Sequence, residues 1–303
     1  MAEHDGMPLK NKLALAALGL TLGLSLGLAA PASAQTEAAR TWQRYPAARE
    51  VQLRDVAAIV QVMPENRTDV AVLIHNPGGL PAPELRMRGD RLVVDGGLHR
   101  QIRSCGGEAD NFRVTTSRHG RLARTQLTMI ELRVPQSLVL AASGGLQLNI
   151  GPSQSAKVAL EGCGVADIEQ VEDKAELAVA GAPDVRLYGA GTAEIAVSGG
   201  GDVTVGAVRD GLAVSIAGAG DFVAARVDGP TSIAVQGAGD VTIRDGRATT
   251  LSVAILGAGD VIHNGSAQRL DAAIMGAGDV RVRHVEGEVS RRVLGAGEVV
   301  VGR

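Results

Sequence analysis

Aromatic residues are nearly absent from this 303-residue chain: two Phe, two Tyr and one Trp make up 2% of the sequence. A core without rings must be built from Val, Ile, Leu and Ala, which suits thin layers between β-strands. The shortage also disfavours a carbohydrate cleft in which sugar rings stack on aromatic side chains.

The chain also lacks a strong net charge. Its 30 Lys and Arg residues nearly balance its 33 Asp and Glu residues, for a formal net charge of -3. A nucleic-acid-binding protein needs a basic surface, so we expect no nucleic-acid partner. The motifs of phosphate-binding loops, catalytic serine elbows and paired metal-binding histidines are missing as well. We therefore expect no cofactor and no enzyme activity.

Only two cysteines occur, Cys105 and Cys163. Two thiolates are too few for a structural zinc site, which takes four ligands. In an oxidising compartment, one disulfide between them is the expected outcome. Strictly regular stacking of the repeats described below would hold the two residues beyond disulfide reach. The bond therefore requires N-terminal segments that deviate from the repeat.

The first 34 residues have the layout of a secretory signal peptide. Lys10 and Lys12 precede an apolar run over 13–30, and the small residues Ala32 and Ala34 form a peptidase site, so we expect cleavage after Ala34. An uncleaved membrane anchor is the alternative, because the run is about long enough to span a bilayer. We expect an exported protein, periplasmic or outer-surface associated, with a flexible N-terminus over 35–46 and no transmembrane segment after cleavage.

A four-residue motif, Gly-x-Gly followed by an acidic residue, recurs through the C-terminal half. From Asp202 to Glu298 the acidic residues are spaced 19, 19, 20, 19 and 19 residues apart. Degraded copies extend the period back to Leu146, so we expect regular coils over 146–303. We expect the glycines at the third position of the motif to form the turns. They are Gly201, Gly220, Gly239, Gly259, Gly278 and Gly297.

Within each repeat, apolar residues alternate with small or polar ones on both sides of the turn. Period-2 alternation indicates strands with one buried face. Short strands repeated in register stack best as successive coils of a parallel solenoid, because no single coil can bury its own apolar face. A β-propeller is the alternative, but its blades need about 40 residues. His263 occupies an inward position that is apolar in the neighbouring coils, which favours a partly buried structural histidine over a ligand.

Residues 47–145 are less regular but still strand-like, as in Val70-Ala71-Val72-Leu73-Ile74. We expect them to form the irregular first coils and cap of the same solenoid. A separate small β-domain is the alternative. The loop over 96–124, rich in Arg and Gly, is the least predictable stretch.

An ordered series of features runs along the chain: the leader, Val-x-Leu at Val51, Leu-Val-Val-Asp at Leu92, Val134-Pro135 leading to Ser143-Gly144-Gly145, and the Gly-x-Gly-Asp-Val coils. Together these features resemble the putative auto-transporter adhesin, head GIN domain family of bacterial envelope proteins, over about Val51 to Val301. The resemblance implies an all-β fold, a right-handed parallel β-helix (β-solenoid) with roughly 19-residue coils, an adhesin-like role and no catalytic motif. The Arg-rich insertion after Gly96 does not match the family pattern.

Stacked repeats would align the acidic residues into one column. Turn chemistry is one explanation, because an Asp after a Gly-x-Gly bend can accept backbone N–H groups. A row of bridging cations, such as Ca²⁺, is the other. The calcium-binding β-roll repeat differs from this motif, since it has nine residues and several ligands per turn. The residues of a cation ladder would be Asp202, Asp221, Asp240, Asp260 and Asp279.

Three large apolar residues occupy a position that should face solvent by strand parity: Leu256, Met275 and Leu294. A local break in parity at the turn could tuck them in. Otherwise they mark a contact with a second copy of the chain or with an envelope glycan or protein.

The sequence therefore predicts an exported cell-envelope β-solenoid that acts as a structural or adhesin-like binding module. A carbohydrate-active β-helix enzyme is the alternative. Such an enzyme would need carboxylates at special, non-repeating positions, whereas the acids here recur at one architectural position.

Overall fold

The structure is a computed structural model that describes residues 41–107 and 110–302. The expected leader and its cleavage site after Ala34 lie outside the described residues. Strands make up 74% of the described residues, and the one helical element among them is the 3₁₀ turn Arg124–Gln126. Within this part of the chain, no helix is long and apolar enough to cross a membrane.

In this described part of the chain, seventeen strands form one continuous sheet and three form a second, smaller sheet. The small sheet contains β6 (Ile102–Gly106), β7 (Arg113–Thr116) and β8 (Gly120–Ala123). The main sheet contains β1 (Gln43–Tyr45), β2 (Glu50–Glu65), β3 (Val70–His75), β4 (Glu84–Arg88), β5 (Arg91–Asp95), β9 (Thr128–Pro135), β10 (Ser137–Ile150), β11 (Ser155–Gly199), β12 (Val203–Gly218), β13 (Phe222–Gly237), β14 (Val241–Ile243), β15 (Gly246–Gly257), β16 (Val261–Ala267), β17 (Leu270–Gly276), β18 (Val280–Val285), β19 (Val289–Gly295) and β20 (Val299–Val301).

Successive coils lie on one another in parallel register. Val203 pairs with Phe222, Phe222 with Val241, and Val241 with Val261. The residues that follow the acidic positions therefore form one column, and the strands before the turns align in the same way. The expected all-β solenoid is confirmed, with about nine turns at a spacing of about 19 residues.

The inward columns form the core. In the central coils Ile233, Val235 and Val241 are at most 1% exposed. Burying a Val or Ile side chain contributes about 1.5–3 kcal/mol relative to leaving it in water. Because each coil is shielded by its neighbours, this stabilisation exists only in the stack.

The segments before the regular coils join the same sheet and core. Strand β2 pairs in parallel with β5, β9 and β10, and Val51, Leu92 and Ile130 belong to the core cluster of the coils. Strand β1, within the expected flexible N-terminus, pairs antiparallel with β3. The Arg44 Nε–H donates to Asp69 over 2.9 Å beside this pairing, which ties the segment down.

The small sheet arises from the stretch that was least predictable. Strands β6, β7 and β8 pair antiparallel and cover outward-facing residues of the first coils. A second apolar cluster lies between the two, in which Val114 and Leu122 of the small sheet and Phe112 just before β7 pack with Ala57 and Ile59 of β2. One outer side of the first coils is therefore covered.

Candidate functional site

Two glycines of each turn leave no room for a Cβ against the coil before them. The first glycine takes a left-handed backbone, with φ of 148° at Gly218, a conformation that L side chains rarely adopt. The glycine at the third position of the motif, for example Gly239, lies close to the carbonyl oxygen of the equivalent glycine one coil earlier. A Cβ there would approach that oxygen to less than 3.0 Å. The predicted turn-forming glycines thus permit close stacking. The left-handed positions, which the sequence reasoning did not single out, are Gly199, Gly218, Gly237, Gly257, Gly276 and Gly295.

The acidic column is a hydrogen-bond ladder. The backbone N–H of Asp221 donates to Oδ1 of Asp202 over 2.9 Å, and that of Asp240 donates to Oδ1 of Asp221 over 3.0 Å. The pattern continues through Asp260, Asp279 and Glu298. Each carboxylate therefore supplies the acceptor that the next coil needs at the turn, as turn chemistry requires.

Cation binding is a separate question for the same column. Within residues 41–107 and 110–302, no three His, Cys, Asp or Glu side chains converge closely enough to hold a metal ion. Arg281 supplies positive charge near the C-terminal end, with 2.7 Å to Asp279 and 3.5 Å to Asp260. At the other end of the column, burial first and the Asp202 charge second raise the pKa of Asp184.

An acidic cleft of about 780 Å³ lies where the small sheet ends against the coils. Arg186 in its wall contacts Asp167 over 3.3 Å. No aromatic side chain lines it among the described residues. The polar side chains that line the cleft are Asp110, Asn111, Asp167, Asp184, Arg186, Asp202 and Thr204.

Leu256, Met275 and Leu294 form an exposed ladder. Leu256 pairs with Met275 and Met275 with Leu294 in adjacent coils. Their exposed fractions are 49%, 54% and 71%, so the turn does not tuck them in and strand parity holds.

This ladder is part of an outer surface that we call the alanine face. It consists of the outward residues of the strands before the turns, in three columns. The central column is Ala141, Ala159, Ala178, Ala196, Ser215, Ala234, Ala254, Ala273 and Arg292. The column nearer the turn runs from Ser143 and Glu161 through Ala180 to Leu294, and the far column runs from Val139 and Lys157 through Glu194 to Ser290.

Two shallow hollows lie in the N-terminal part of the alanine face, on either side of its central column. The one nearer the turns has a volume of about 280 Å³ and is bordered by Ser143, Glu161 and Ala180. The other, of about 330 Å³, is bordered by Lys157 and Glu194. Small side chains form both floors, because the central column is alanine in these coils.

Cys105 and Cys163 are joined by a disulfide, with their Cα atoms 5.6 Å apart. Cys105 lies on β6 of the small sheet and Cys163 on β11. The bond is possible because the chain leaves the stack after Gly96 and folds back over the coils. It ties the small sheet to the solenoid.

His263 is completely buried among apolar neighbours. Its Nδ1 accepts the N–H of Gly265 over 3.1 Å, and its Nε2 has no hydrogen-bond partner in the structure. Burial lowers the pKa of this imidazole. The position holds Ile243 and Val282 in the adjacent coils, so the histidine is a polar residue in an apolar column.

Comparison with known proteins relates the chain to solved structures only. No protein-family model matches it, and no curated protein matches it. A putative adhesin from Parabacteroides distasonis is 18% identical, with 86% of this chain and 96% of that chain covered and a TM-score of 0.51. A putative lipid binding protein from the same species is 14% identical, with 87% and 96% covered and a TM-score of 0.42. A putative adhesin from Parabacteroides merdae is 19% identical, with 86% and 95% covered and a TM-score of 0.37. The likeness to the first of these shows a shared fold.

Proposed function

We propose that this chain is an exported, non-catalytic binding module of the bacterial cell envelope, adhesin-like in role and related to the head GIN domain family. The features that run from the leader through Val51 and Leu92 to the Gly-x-Gly-Asp coils support the family. The solenoid shared with a structure named a putative adhesin agrees with that role.

The exposed ladder of Leu256, Met275 and Leu294 is the observation that carries the proposal. The coils of Leu256 and Met275 bury the inward residues Ile255 and Ile274 completely, yet hold large apolar side chains in register in water, and Leu294 continues the column in the last coil. A contiguous exposed group of large apolar side chains is typical of an interaction site. A binding module can contact its ligand through such a surface without a conformational change.

The acidic column supports a passive role over a catalytic one. Its carboxylates recur at one position of the coil and accept backbone N–H groups from their neighbours. A glycosidase needs two carboxylates at distinct positions that flank a scissile bond. The column is accounted for by coil stacking.

Fractionation of the producing cells, followed by a screen of the purified protein against envelope glycans and whole cells, tests the proposal. We expect the protein in the envelope or outside the cell, with a binding signal that falls when Leu256→Ser and Met275→Ser are combined. Tyr188→Ser is the matched control, because Tyr188 is 56% exposed on a different strand face. A cytoplasmic protein, or one with no envelope ligand, would overturn the proposal.

The acidic cleft favours one alternative, a carbohydrate-active enzyme. Asp184 and Asp202 lie in it together, and the pKa of Asp184 is raised, as a general acid requires. Hydrolysis of a polysaccharide by the wild type, abolished by Asp184→Asn or Asp202→Asn, would establish this alternative. Unchanged turnover in both variants would remove it.

A further inference from the structure

The alanine face is complementary to itself. Leu256, Met275 and Leu294 protrude at its C-terminal end, whereas the hollow at its N-terminal end has a floor of small side chains. The middle coil between them is flat, because it presents only Ser215 and its small neighbours. A surface with protrusions at one end and a hollow at the other matches a copy of itself that runs in the opposite direction.

We propose that the occupant of the alanine face is a second copy of this chain, packed face to face in a two-fold dimer with the coils running in opposite directions. The inference rests on the proposed function, since it names the partner of the same exposed ladder. Two-fold contacts use one patch on both subunits, so every protrusion that fills a hollow does so twice.

The position of the two-fold axis determines which residues meet. Beyond Ala141 the stack continues to Gln52 of β2, so we place the axis at the Ser215 coil because it then brings the exposed ladder over the hollow. Leu256 then lies opposite Ala180 of the second copy, Met275 opposite Glu161, and Leu294 opposite Ser143. All three opposing positions border the 280 Å³ hollow. The three protruding side chains thus fall on the one hollow in their column.

One pair of opposite charges agrees with this arrangement. In the far column, Lys157 lies opposite Asp271 of the second copy. Lys157 contacts Glu176 of its own chain over 3.0 Å and has a 68% exposed side chain, and Asp271 is exposed. A Lys opposite an Asp favours the contact and fixes its register. A parallel arrangement of the two copies would instead place Asp271 beside Met275.

The area is sufficient for a dimer of modest affinity. The face consists of nine coils about 4.8 Å apart, and each coil presents a strand segment about 13 Å long. The contact area is therefore roughly 500 Å² per copy. The total of about 1,000 Å² is at the lower end of specific interfaces. We therefore expect a dimer that forms and dissociates with concentration.

Sedimentation velocity of the protein as isolated from the producing cells, over a range of concentrations, tests the dimer. We expect the mass to rise from one chain to two. Combining Leu256→Ser with Met275→Ser should raise the dissociation constant by roughly tenfold or more. Tyr188→Ser, on another face, should leave it unchanged.

A charge exchange tests the arrangement independently of folding. Lys157→Asp alone places two carboxylates opposite each other and should weaken the dimer, as should Asp271→Lys alone. The two changes together should restore it. A role confined to the stability of one chain would not show this rescue.

The outcomes separate the dimer from the proposed function. A wild-type monomer at all concentrations, a dimer unaffected by the ladder variant, or a charge exchange without rescue would overturn the dimer. A monomer that still binds envelope ligands through the ladder would assign the face to that ligand and keep the binding module. A dimer without any envelope ligand would keep the inference and overturn the proposed function.

Discussion

At the residue scale, positions in the coil follow from the space and the acceptors that stacking leaves. Glycine is required at the third position of the motif because a Cβ there would clash with the backbone of the preceding coil. The Asp that follows is favoured because its carboxylate accepts the backbone N–H of the equivalent Asp in the next coil. The repeat predicted the column, but the pairing of each N–H with the neighbouring carboxylate needed the coil geometry.

Substitutions of Asp240 test the hydrogen-bond ladder of the acidic column. Asp240→Ala removes the acceptor of the Asp260 N–H, which lies 2.8 Å from Oδ1, and should lower stability by about 1 kcal/mol. Asp240→Asn keeps an acceptor oxygen and removes a like charge from the column, so it should be at least as stable as the wild type. Urea midpoints compare the three proteins. Equal losses in both variants would show that charge matters at this position and the hydrogen bond does not.

His263 should make the fold sensitive to acid. Burial holds its folded-state pKa below the ordinary value of 6.5, so the unfolded chain takes up a proton that the folded chain refuses as the pH falls below that value. Stability present above pH 6.5 is therefore lost on acidification toward the folded-state pKa, by up to about 1.4 kcal/mol per pH unit.

His263→Val isolates this effect, since valine is typical of the column. The stability difference between variant and wild type should widen in favour of the variant between pH 7.5 and pH 5. Thermal midpoints of both proteins at several pH values measure it, and other titrating groups cancel in the difference. Parallel pH curves would contradict the buried, neutral imidazole.

At the element scale, the regular coils could be predicted because each strand repeats a two-residue alternation at a fixed spacing. The small sheet could not, because Ile102–Gly106, Arg113–Thr116 and Gly120–Ala123 occur once each and alternate weakly. Its core depends on Phe112 and Val114 meeting the outer side of β2, a contact distant in sequence. The two cysteines were the one signal that a segment must fold back.

The disulfide should stabilise the attachment of the small sheet. It closes a loop between residues 58 positions apart, so replacing both cysteines with serine should cost about 2–4 kcal/mol. Denaturant unfolding of Cys105→Ser with Cys163→Ser, compared with the wild type before and after reduction, measures this cost. Reduction of the wild type should reproduce the variant. An unchanged midpoint would mean that the apolar contacts alone hold the sheet.

At the scale of the whole solenoid, stability is cooperative between coils, because each inward Val or Ile is shielded by the coils beside it. The same stacking leaves the outer columns exposed in register. Surface function thus follows from the fold: a residue type repeated along the chain becomes a stripe, as the exposed ladder and the acidic column do. The sequence predicted the acidic column and aligned Leu256, Met275 and Leu294, but it left open whether the turn buries them. Their exposure, and the hollows between neighbouring columns, required the structure.

Metal removal should leave the solenoid intact. The carboxylates of the acidic column already accept backbone N–H groups. A chelator should therefore not change the melting temperature. Calorimetry with and without the chelator, followed by added calcium, checks this. A fall in melting temperature on chelation, reversed by calcium, would favour the cation ladder.

Distances between spin labels along one outer column test the stacking itself. Labels at Tyr188→Cys paired with Arg244→Cys, Asn264→Cys or Arg283→Cys would be three, four or five coils apart. The stack predicts separations that increase by about 4.8 Å per coil, from about 14 Å to about 24 Å, apart from a constant label length. Pulsed electron resonance distances that do not increase with coil number would contradict the solenoid and every surface inferred from it.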